Sequence, residues 1–350
     1  MTGGRDLAAE HDAAGRHEDA INALAVASRS GDVEATAELG QRLIVGDRAP
    51  YMPAQGAGLV GDAARAGSIN ALLSFACLMA LGAHVPRSLN GAVGLLVHAA
   101  ELGSETARGQ LRVLSRQGAA RSPREDWRQL ARAIDLAGWL SPPPGITLHD
   151  EPLVRRFPAL LEPALCDWLI DKARIRLRPA MIYSGEGAGD RVDEMRTNSV
   201  GVWDLGCMDL INVVLQYRIA AACRMPLDNL EAPTALRYRV GEQITNHYDF
   251  VNPRIPNYQS EIDRRGQRIV TFLVYLNDDY EGGETDFPTL GLRYHGAKGN
   301  GIFFTNALPN GQPDLRMVHA GLPPKDNEKW LMSQFIRNRA VLGARAENQA

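Results

Sequence analysis

The chain has 350 residues, of which 45% are hydrophobic and 23% are charged, and its formal net charge is −3. This length predicts two domains, and this composition is typical of a globular protein with a sizeable core. The nearly balanced charge gives no sign of a protein that binds nucleic acid or a membrane surface. No apolar run approaches the roughly 18 residues that a membrane-spanning helix needs.

The N-terminal segment and the cysteines indicate the compartment. The first twenty residues are polar and of mixed charge, without the apolar stretch of a secretory signal. The four cysteines are scattered along the chain and form no CxxC pair. We therefore expect reduced, mostly buried thiols and a cytoplasmic location.

The first 140 residues contain a repeat of 36 residues. The segments SGDVEATAEL, AGSINALLSF and LGSETARGQL align without gaps, which places Gly31, Gly67 and Gly103 at one position of the repeat. Small residues at fixed positions let paired helices approach closely, and the glycines turn the chain from one helix into the next. Stacked helix pairs of this kind form an all-α solenoid.

The repeat resembles the Sel-like repeats, relatives of the tetratricopeptide repeats. The likeness covers roughly residues 18–116, about two and a half units, and a proline-containing linker at 46–56 departs from the pattern. The resemblance implies a scaffold that binds a protein partner. A role limited to buttressing the second domain stays open as the alternative.

A further helix is predicted at about 123–138, with Ser122 as its N-cap and Pro123 in its first position. The segment SPPPG at 141–145 ends this helix and forms a stiff boundary.

After this boundary the pattern changes to short apolar strands separated by Gly, Pro and Asn turns, with helices predicted at 162–174 and about 208–223. Many short strands indicate a double-stranded β-helix, or jelly roll. The expected architecture is therefore α+β with two domains, a helical-repeat solenoid at 1–140 and a jelly roll at 146–345.

The stretch TNHYDF places His247 and Asp249 on the same side of an extended segment, because side chains alternate along a strand. A mononuclear Fe(II) site needs two imidazoles and one carboxylate. His319, on a late predicted strand, is the candidate second imidazole. Lys329 follows it by ten residues, and a buried cation there would pair with a carboxylate of a small dianionic cosubstrate. A solvated lysine at the start of a strand is the alternative.

Residues 233–339 resemble the catalytic domain of the prolyl 4-hydroxylases, within the Fe(II)- and 2-oxoglutarate-dependent dioxygenases. The matching segments follow the family's order: LRYRVGEQITNHYDF, RIVTFLVYLND, GGETDFP, GNGIFFTN, RMVHAG and EKWLMSQFIR. A looser match extends over 146–232. The specific part is the combination of the His–x–Asp pair, the distal histidine and the lysine ten residues beyond it.

The resemblance implies that His247, Asp249 and His319 bind iron. It implies that Lys329 pairs with the distal carboxylate of 2-oxoglutarate and that Tyr238 faces this cosubstrate.

Two more positions carry weaker implications. Thr271 matches a residue that lines the cosubstrate pocket, although a β-branched core residue is an equal alternative. Arg196 matches an Arg–Thr pair near the mouth of the site and is the candidate substrate contact.

The implied reaction hydroxylates an unactivated C–H bond, consumes 2-oxoglutarate and O2, and releases succinate and CO2. Halogenating relatives lack the carboxylate that Asp249 supplies, so its presence favours hydroxylation. Ascorbate (vitamin C) is the expected reductant. The expected substrate is a prolyl or other amino-acid residue of a peptide or protein. A free amino acid or a small-molecule natural-product intermediate, and a non-catalytic repeat scaffold, are the alternatives.

Two long loops are expected near the site. The loop at 181–198 is either a mobile lid over the substrate or a surface connection. The loop at 249–268 carries four arginines that either meet an acidic substrate group or form a solvated face: Arg254, Arg264, Arg265 and Arg268.

Overall fold

A computed structural model describes residues 3–116, 125–181, 195–255, 258–308 and 310–341. The chain divides into two compact units. The first comprises Met1–Leu136, Asp204–Val214 and Arg345–Ala350, and the second comprises Ala137–Trp203 and Leu215–Ala344. The division at 140–146 stays a prediction. Within the described ranges, no helix has the length and apolar character needed to cross a bilayer.

The first unit is helical. Its helices are α1 (Gly4–Ala13), α2 (His17–Arg29), α3 (Val33–Val45), α4 (Pro53–Arg65), α5 (Ile69–Leu81), α6 (Leu89–Glu101), α7 (Glu105–Leu114) and α8 (Trp127–Arg132). Helices α2 to α7 form three pairs whose starting residues recur every 36 residues, which is the period read from the sequence. The described residues contain three helix pairs where about two and a half units were predicted, and α4 begins with Pro53, which lies inside the predicted linker.

The turn within each pair explains the repeat. A glycine with φ between +91° and +101° lies in each turn, a conformation that L side chains rarely adopt: Gly31, Gly67 and Gly103. The next residue is Asp or Ser, and its side chain accepts a hydrogen bond from the backbone N–H of an alanine three residues later. Each of these alanines is fully buried, so a larger side chain would push the paired helices apart.

The prediction of one helix at 123–138 is wrong. The described residues form two short helices there, α8 and α9 (Leu136–Leu140). Asp126 caps α8 by accepting hydrogen bonds from two backbone N–H groups of its first turn, so the helix starts after Asp126. Ser122 and Pro123 lie outside the described residues.

The second unit contains the strands. They are β1 (Ile146–His149), β2 (Val154–Phe157), β3 (Arg178–Pro179), β4 (Ser199–Val202), β5 (Thr234–Tyr238), β6 (Ile244–His247), β7 (Arg268–Tyr275), β8 (Thr285–Phe287), β9 (Leu292–Tyr294), β10 (Gly301–Thr305), β11 (His319–Gly321) and β12 (Lys329–Arg337). This unit also contains α10 (Pro163–Arg174), α12 (Tyr258–Arg265) and the part of α11 (Leu210–Cys223) that follows Val214. The helices predicted at 162–174 and 208–223 are thus confirmed.

The strands form two antiparallel sheets. The large sheet has the order β1-β2-β10-β7-β12-β5-β4-β3, and the small sheet has the order β6-β11-β8-β9. Aromatic and aliphatic side chains from both sheets make one apolar core, which includes Phe287 of the small sheet and Phe304 of the large sheet. Helical repeats and a two-sheet jelly roll confirm the predicted fold class.

A buried ion cluster ties α12 to the end of β12. Glu231 accepts two hydrogen bonds from Arg268, at 2.7 and 2.9 Å, and one from Arg337 at 2.5 Å. Arg337 also donates to Glu261 of α12. Burial alone would raise the pKa of Glu231, but the charges of Arg268 and Arg337 outweigh burial and lower it to about 2.

We expect Glu231→Gln to lower the free energy of unfolding at pH 7 by about 3 kcal/mol, because a buried ion cluster loses its central charge. The folded-state pKa lies below the usual value of 4.5, so the stabilisation is present above pH 4.5 and is lost as the pH falls towards 2. Urea unfolding from pH 7 to pH 2 should show the difference from the wild type shrinking in that window. The exposed Glu281→Gln is the control, and a pH-independent difference would contradict the assignment.

Candidate active site

The three predicted metal ligands converge on the small sheet. Strands β6 and β11 pair so that His247 lies directly opposite His319, and Asp249 follows two residues after His247. One nitrogen or oxygen of each side chain lies within 4.8 Å of the other two. Among the described residues, no other group of three such side chains has this spacing.

The backbone fixes the orientation of both imidazoles. The Nδ1 of His247 lies 2.8 Å from the carbonyl oxygen of Thr245, and the Nδ1 of His319 lies 3.0 Å from that of Met317. A carbonyl oxygen only accepts, so each Nδ1 carries a proton and donates it. Each Nε2 is therefore available as a ligand atom, which is the arrangement of metal-binding histidines.

The ionised carboxylate of Asp249 lies close to both imidazoles, so the space between the three groups favours a cation. Its oxygens lie 3.5 Å from the Nε2 of His247 and 3.3 Å from that of His319. Burial acts to raise the pKa of Asp249, but the two histidines outweigh burial and hold that pKa well below its usual value. Burial acts to lower the pKa of His319, and Asp249 reverses this. Two imidazoles and one ionised carboxylate are a suitable ligand set for Fe(II).

The predicted anchor is a fully buried lysine. Lys329 begins β12 directly opposite Tyr238 of β5, and it is 0% exposed. Its Nζ has no hydrogen-bond partner among the described residues and lies 5.0 Å from the ring centroid of Tyr238 and 5.6 Å from that of Tyr275. Burial lowers the pKa of this ammonium group to about 7. An unpaired buried ammonium is costly, so this position fits a carboxylate of 2-oxoglutarate.

We expect cosubstrate binding to take up a proton above pH 7. Without an anion, Lys329 has a pKa of about 7 and is mostly neutral at pH 8. A bound carboxylate favours the charged form and raises this pKa, so binding at pH 8 should take up close to one proton and binding at pH 6 almost none. Calorimetric titration of 2-oxoglutarate in buffers of different ionisation enthalpy measures this number. Equal proton uptake at both pH values would contradict the prediction.

A glycine turn packs against the lysine. Gly283 has a φ of +66°, and a Cβ at this position would lie 2.9 Å from the ring of Tyr280 and 3.2 Å from the Cδ of Lys329. Gly291 has a similar φ of +61°, but a Cβ there would meet no atom within 4 Å.

The two glycines therefore form a matched pair for mutation. We expect Gly283→Ala to weaken 2-oxoglutarate binding roughly five- to tenfold, because moving Lys329 or Tyr280 off its rotamer costs about 1 kcal/mol. Gly291→Ala should cost similar stability through backbone strain and leave the affinity unchanged. Calorimetry with 2-oxoglutarate checks this, and equal affinities for the two variants would contradict it.

Thr271 contacts one of the predicted ligands, and Arg196 acts on Tyr238, the residue opposite the predicted anchor. Thr271 donates a hydrogen bond from its hydroxyl to Oδ2 of Asp249 at 2.7 Å, so its described contact is with the predicted iron ligand. The Nε of Arg196 donates to Oδ1 of Asn198 at 3.3 Å. Burial raises the pKa of Tyr238 to about 12, and the charge of Arg196 acts in the opposite direction. The roles of Thr271 and Arg196 as cosubstrate and substrate contacts stay predictions.

Two residues of the site were missed in the sequence. Tyr275 lies four residues after Thr271 on β7, and strand alternation could have indicated that it shares a face with Thr271. Asn306 follows β10 and donates to the Thr271 hydroxyl at 2.8 Å. No spacing in the sequence points to that contact.

Of the two loops predicted near the site, only the second is largely described. Most of the first, residues 182–194, lies outside the described residues. The second contains α12, and its Arg268 belongs to the buried ion cluster with Glu231. Arg254 is exposed and stays a candidate for the solvated face.

Comparison with known proteins gives consistent matches to one family. The 2OG-Fe(II) oxygenase superfamily matches residues 233–337. The Arabidopsis thaliana protein named Probable prolyl 4-hydroxylase 9 is 31% identical over 204 residues, which cover 52% of this chain and 68% of the relative. Prolyl 4-hydroxylase 13 of the same plant is 30% identical over 224 residues, covering 59% of this chain and 79% of the relative.

Among solved structures, a viral collagen prolyl hydroxylase from Paramecium Bursaria Chlorella virus-1, in complex with 2OG, is similar. It has 27% sequence identity and a TM-score of 0.41, and the match covers 53% of this chain and 94% of that chain. Enzymes of the matched family use Fe(II), 2-oxoglutarate and O2, and ascorbate is typical of prolyl 4-hydroxylases. The chain belongs to the prolyl 4-hydroxylase-related family of 2-oxoglutarate- and Fe(II)-dependent oxygenases.

Proposed function

We propose that this enzyme hydroxylates a prolyl or other amino-acid residue within a peptide or protein. The observation that carries the proposal is the convergence of His247, Asp249 and His319 within 4.8 Å in a chain that also buries an unpaired lysine. The names of the relatives, which are prolyl 4-hydroxylases, support the prolyl substrate.

The residues divide the work between holding the metal and anchoring the cosubstrate. His247, Asp249 and His319 would hold Fe(II), and Lys329 would bind the distal carboxylate of 2-oxoglutarate beside Tyr238. When bound, the metal and cosubstrate supply the oxidation that inserts one oxygen atom of O2 into a C–H bond, with release of succinate and CO2. The protein residues orient these groups and exclude water from Lys329, whose side chain is fully buried.

The partial exposure of one metal ligand favours a substrate that approaches from the protein surface. Of the three ligands, the His247 side chain is 27% exposed, whereas those of Asp249 and His319 are 9% and 5% exposed. The access to the metal therefore lies on the His247 side. Tyr248 is partly exposed next to it and donates a hydrogen bond to the carbonyl oxygen of Leu315, which is also exposed. A site with one ligand open to solvent suits a peptide better than an enclosed small molecule.

The test compares two substrate classes at equal concentration. Proline-containing peptides and free amino acids are incubated with enzyme, Fe(II), 2-oxoglutarate and ascorbate, and products are identified by mass spectrometry. The proposal predicts a gain of one oxygen atom on a peptide, with succinate formed in equal amount. Hydroxylation of a free amino acid or small metabolite alone would replace it with the small-molecule alternative.

The helical repeats are proposed to recruit a protein substrate or partner. Support comes from a surface groove between α1 and α2, whose lining includes the exposed Leu7 and Val26. Val26→Asp should then raise the KM for a protein substrate and leave the KM for a short peptide unchanged. Leu102→Asp, at another exposed apolar position of the same unit, is the control. Equal effects of Val26→Asp on both substrates would favour a purely structural role.

A further inference from the structure

Of the three predicted metal ligands, Asp249 alone lies outside a strand. His247 and His319 lie on paired strands of the small sheet, whereas Asp249 follows the end of β6 and begins the long loop that leads to β7. The loop backbone is held two residues later, where the Gln267 side chain bonds both the N–H and the carbonyl of Val251 at 2.7 Å. These bonds fix the chain but leave the rotation of the Asp249 carboxylate to other contacts.

A chain of two hydrogen bonds reaches that carboxylate from the large sheet. The Nδ2 of Asn306 donates to Oγ1 of Thr271 at 2.8 Å, and this hydroxyl donates to Oδ2 of Asp249 at 2.7 Å. Both Thr271 and Asn306 are 1% exposed, so water does not compete for these bonds. The backbone of Asn306 is itself fixed, since its N–H donates to the carbonyl of Ile269 at 2.8 Å.

The chemistry of the groups sets the direction of this chain. An amide Nδ2 only donates, so Thr271 must accept from Asn306 with an oxygen lone pair. The single hydroxyl proton of Thr271 is then directed to the carboxylate, which only accepts when ionised. Asn306 thereby determines which way the Thr271 hydroxyl points.

We propose that Asn306 is a positioning residue for the metal site: through Thr271 it fixes the rotation of the Asp249 carboxylate relative to the two imidazoles. Partners that orient a ligand from behind typically contribute 10- to 100-fold to metal affinity. The inference rests on the proposed metal site and assigns a role to a residue that does not itself touch the metal.

The test measures Mn(II) and Co(II) affinity of the full-length protein, without O2, by calorimetry. Thr271→Val removes the hydroxyl at nearly constant volume and should weaken metal binding roughly 10- to 100-fold. Thr271→Ser keeps the hydroxyl and should bind metal with nearly wild-type affinity. Asn306→Ala should weaken binding by a smaller factor in the wild-type background and have no further effect in the Thr271→Val background. Thr285→Val removes another buried hydroxyl, one that bonds Tyr275, and should leave metal affinity unchanged.

Each outcome separates this inference from the metal site itself. No metal binding by the wild type would overturn the proposed site and this inference with it. If the wild type binds metal and both Asn306→Ala and Thr271→Val bind it with wild-type affinity, the inference alone is overturned. Additive losses in the double variant would also overturn it, because they would assign Asn306 a structural role that does not act through Thr271. Melting temperatures of all variants identify losses that arise from misfolding.

Discussion

Replacing His319 by alanine is expected to abolish high-affinity Fe(II) binding. The side chain is 5% exposed and its Nδ1 is held by the carbonyl of Met317, so its Nε2 is preorganised towards Asp249. Loss of an outer partner of a ligand already costs 10- to 100-fold in affinity, so loss of the ligand itself should cost more than 100-fold. Anaerobic calorimetry with Fe(II) measures the change.

The control for this prediction is His295→Ala. His295 is an exposed histidine of the same unit that contacts the ring of Tyr280 and lies outside the predicted ligand set. The His295→Ala variant should therefore bind Fe(II) with the affinity of the wild type. Unchanged affinity in His319→Ala, or an equal loss in both variants, would contradict the assignment of His319 as a ligand.

Replacing Lys329 by methionine is expected to weaken 2-oxoglutarate binding about 30- to 5000-fold. Removing one partner of a buried charge pair costs about 2–5 kcal/mol, and Lys329 is fully buried. The metal affinity should stay close to that of the wild type, because the lysine is not a ligand. Calorimetric titrations of 2-oxoglutarate and of Mn(II) measure the two affinities separately.

A second readout distinguishes anchoring from folding. The ammonium of Lys329 has no hydrogen-bond partner among the described residues, so methionine should raise the melting temperature of the cosubstrate-free protein. The same variant should lose the stabilisation that 2-oxoglutarate gives the wild type. The exposed Lys325→Met is the control and should behave like the wild type. A lower melting temperature together with wild-type 2-oxoglutarate affinity would contradict the anchoring role.

Local sequence patterns predicted much of the fold for a physical reason. In the repeats, the left-handed glycine, the capping residue and the buried alanine all lie within five residues of one another, so the 36-residue period can be read directly. The single helix expected at 123–138 was wrong because the Asp126 side chain caps the chain later than Ser122 would. The grouping of Asp204–Val214 with the helical unit depends on distant contacts, such as the bond from the Leu210 N–H to Gln110 at 2.9 Å.

The candidate site was predictable where residue type and order carry the chemistry. His247, Asp249, His319 and Lys329 form such an ordered set. The contact of Thr271 with Asp249 was not predictable, because a β-branched residue in a strand can equally well pack in an apolar core. The contact of Asn306 with Thr271 depends on the pairing register of β10 and β7. This register is a property of the folded sheet and cannot be read from local sequence.

Succinate formation from 2-oxoglutarate tests the proposed active site most directly. Anaerobic enzyme loaded with Fe(II), 2-oxoglutarate and a pool of proline-containing peptides is exposed to O2, and succinate is measured against time. We expect succinate formation that requires both Fe(II) and O2, is retained in His295→Ala, and is lost in His319→Ala. No conversion of 2-oxoglutarate by the wild type, or equal conversion by His319→Ala, would contradict it.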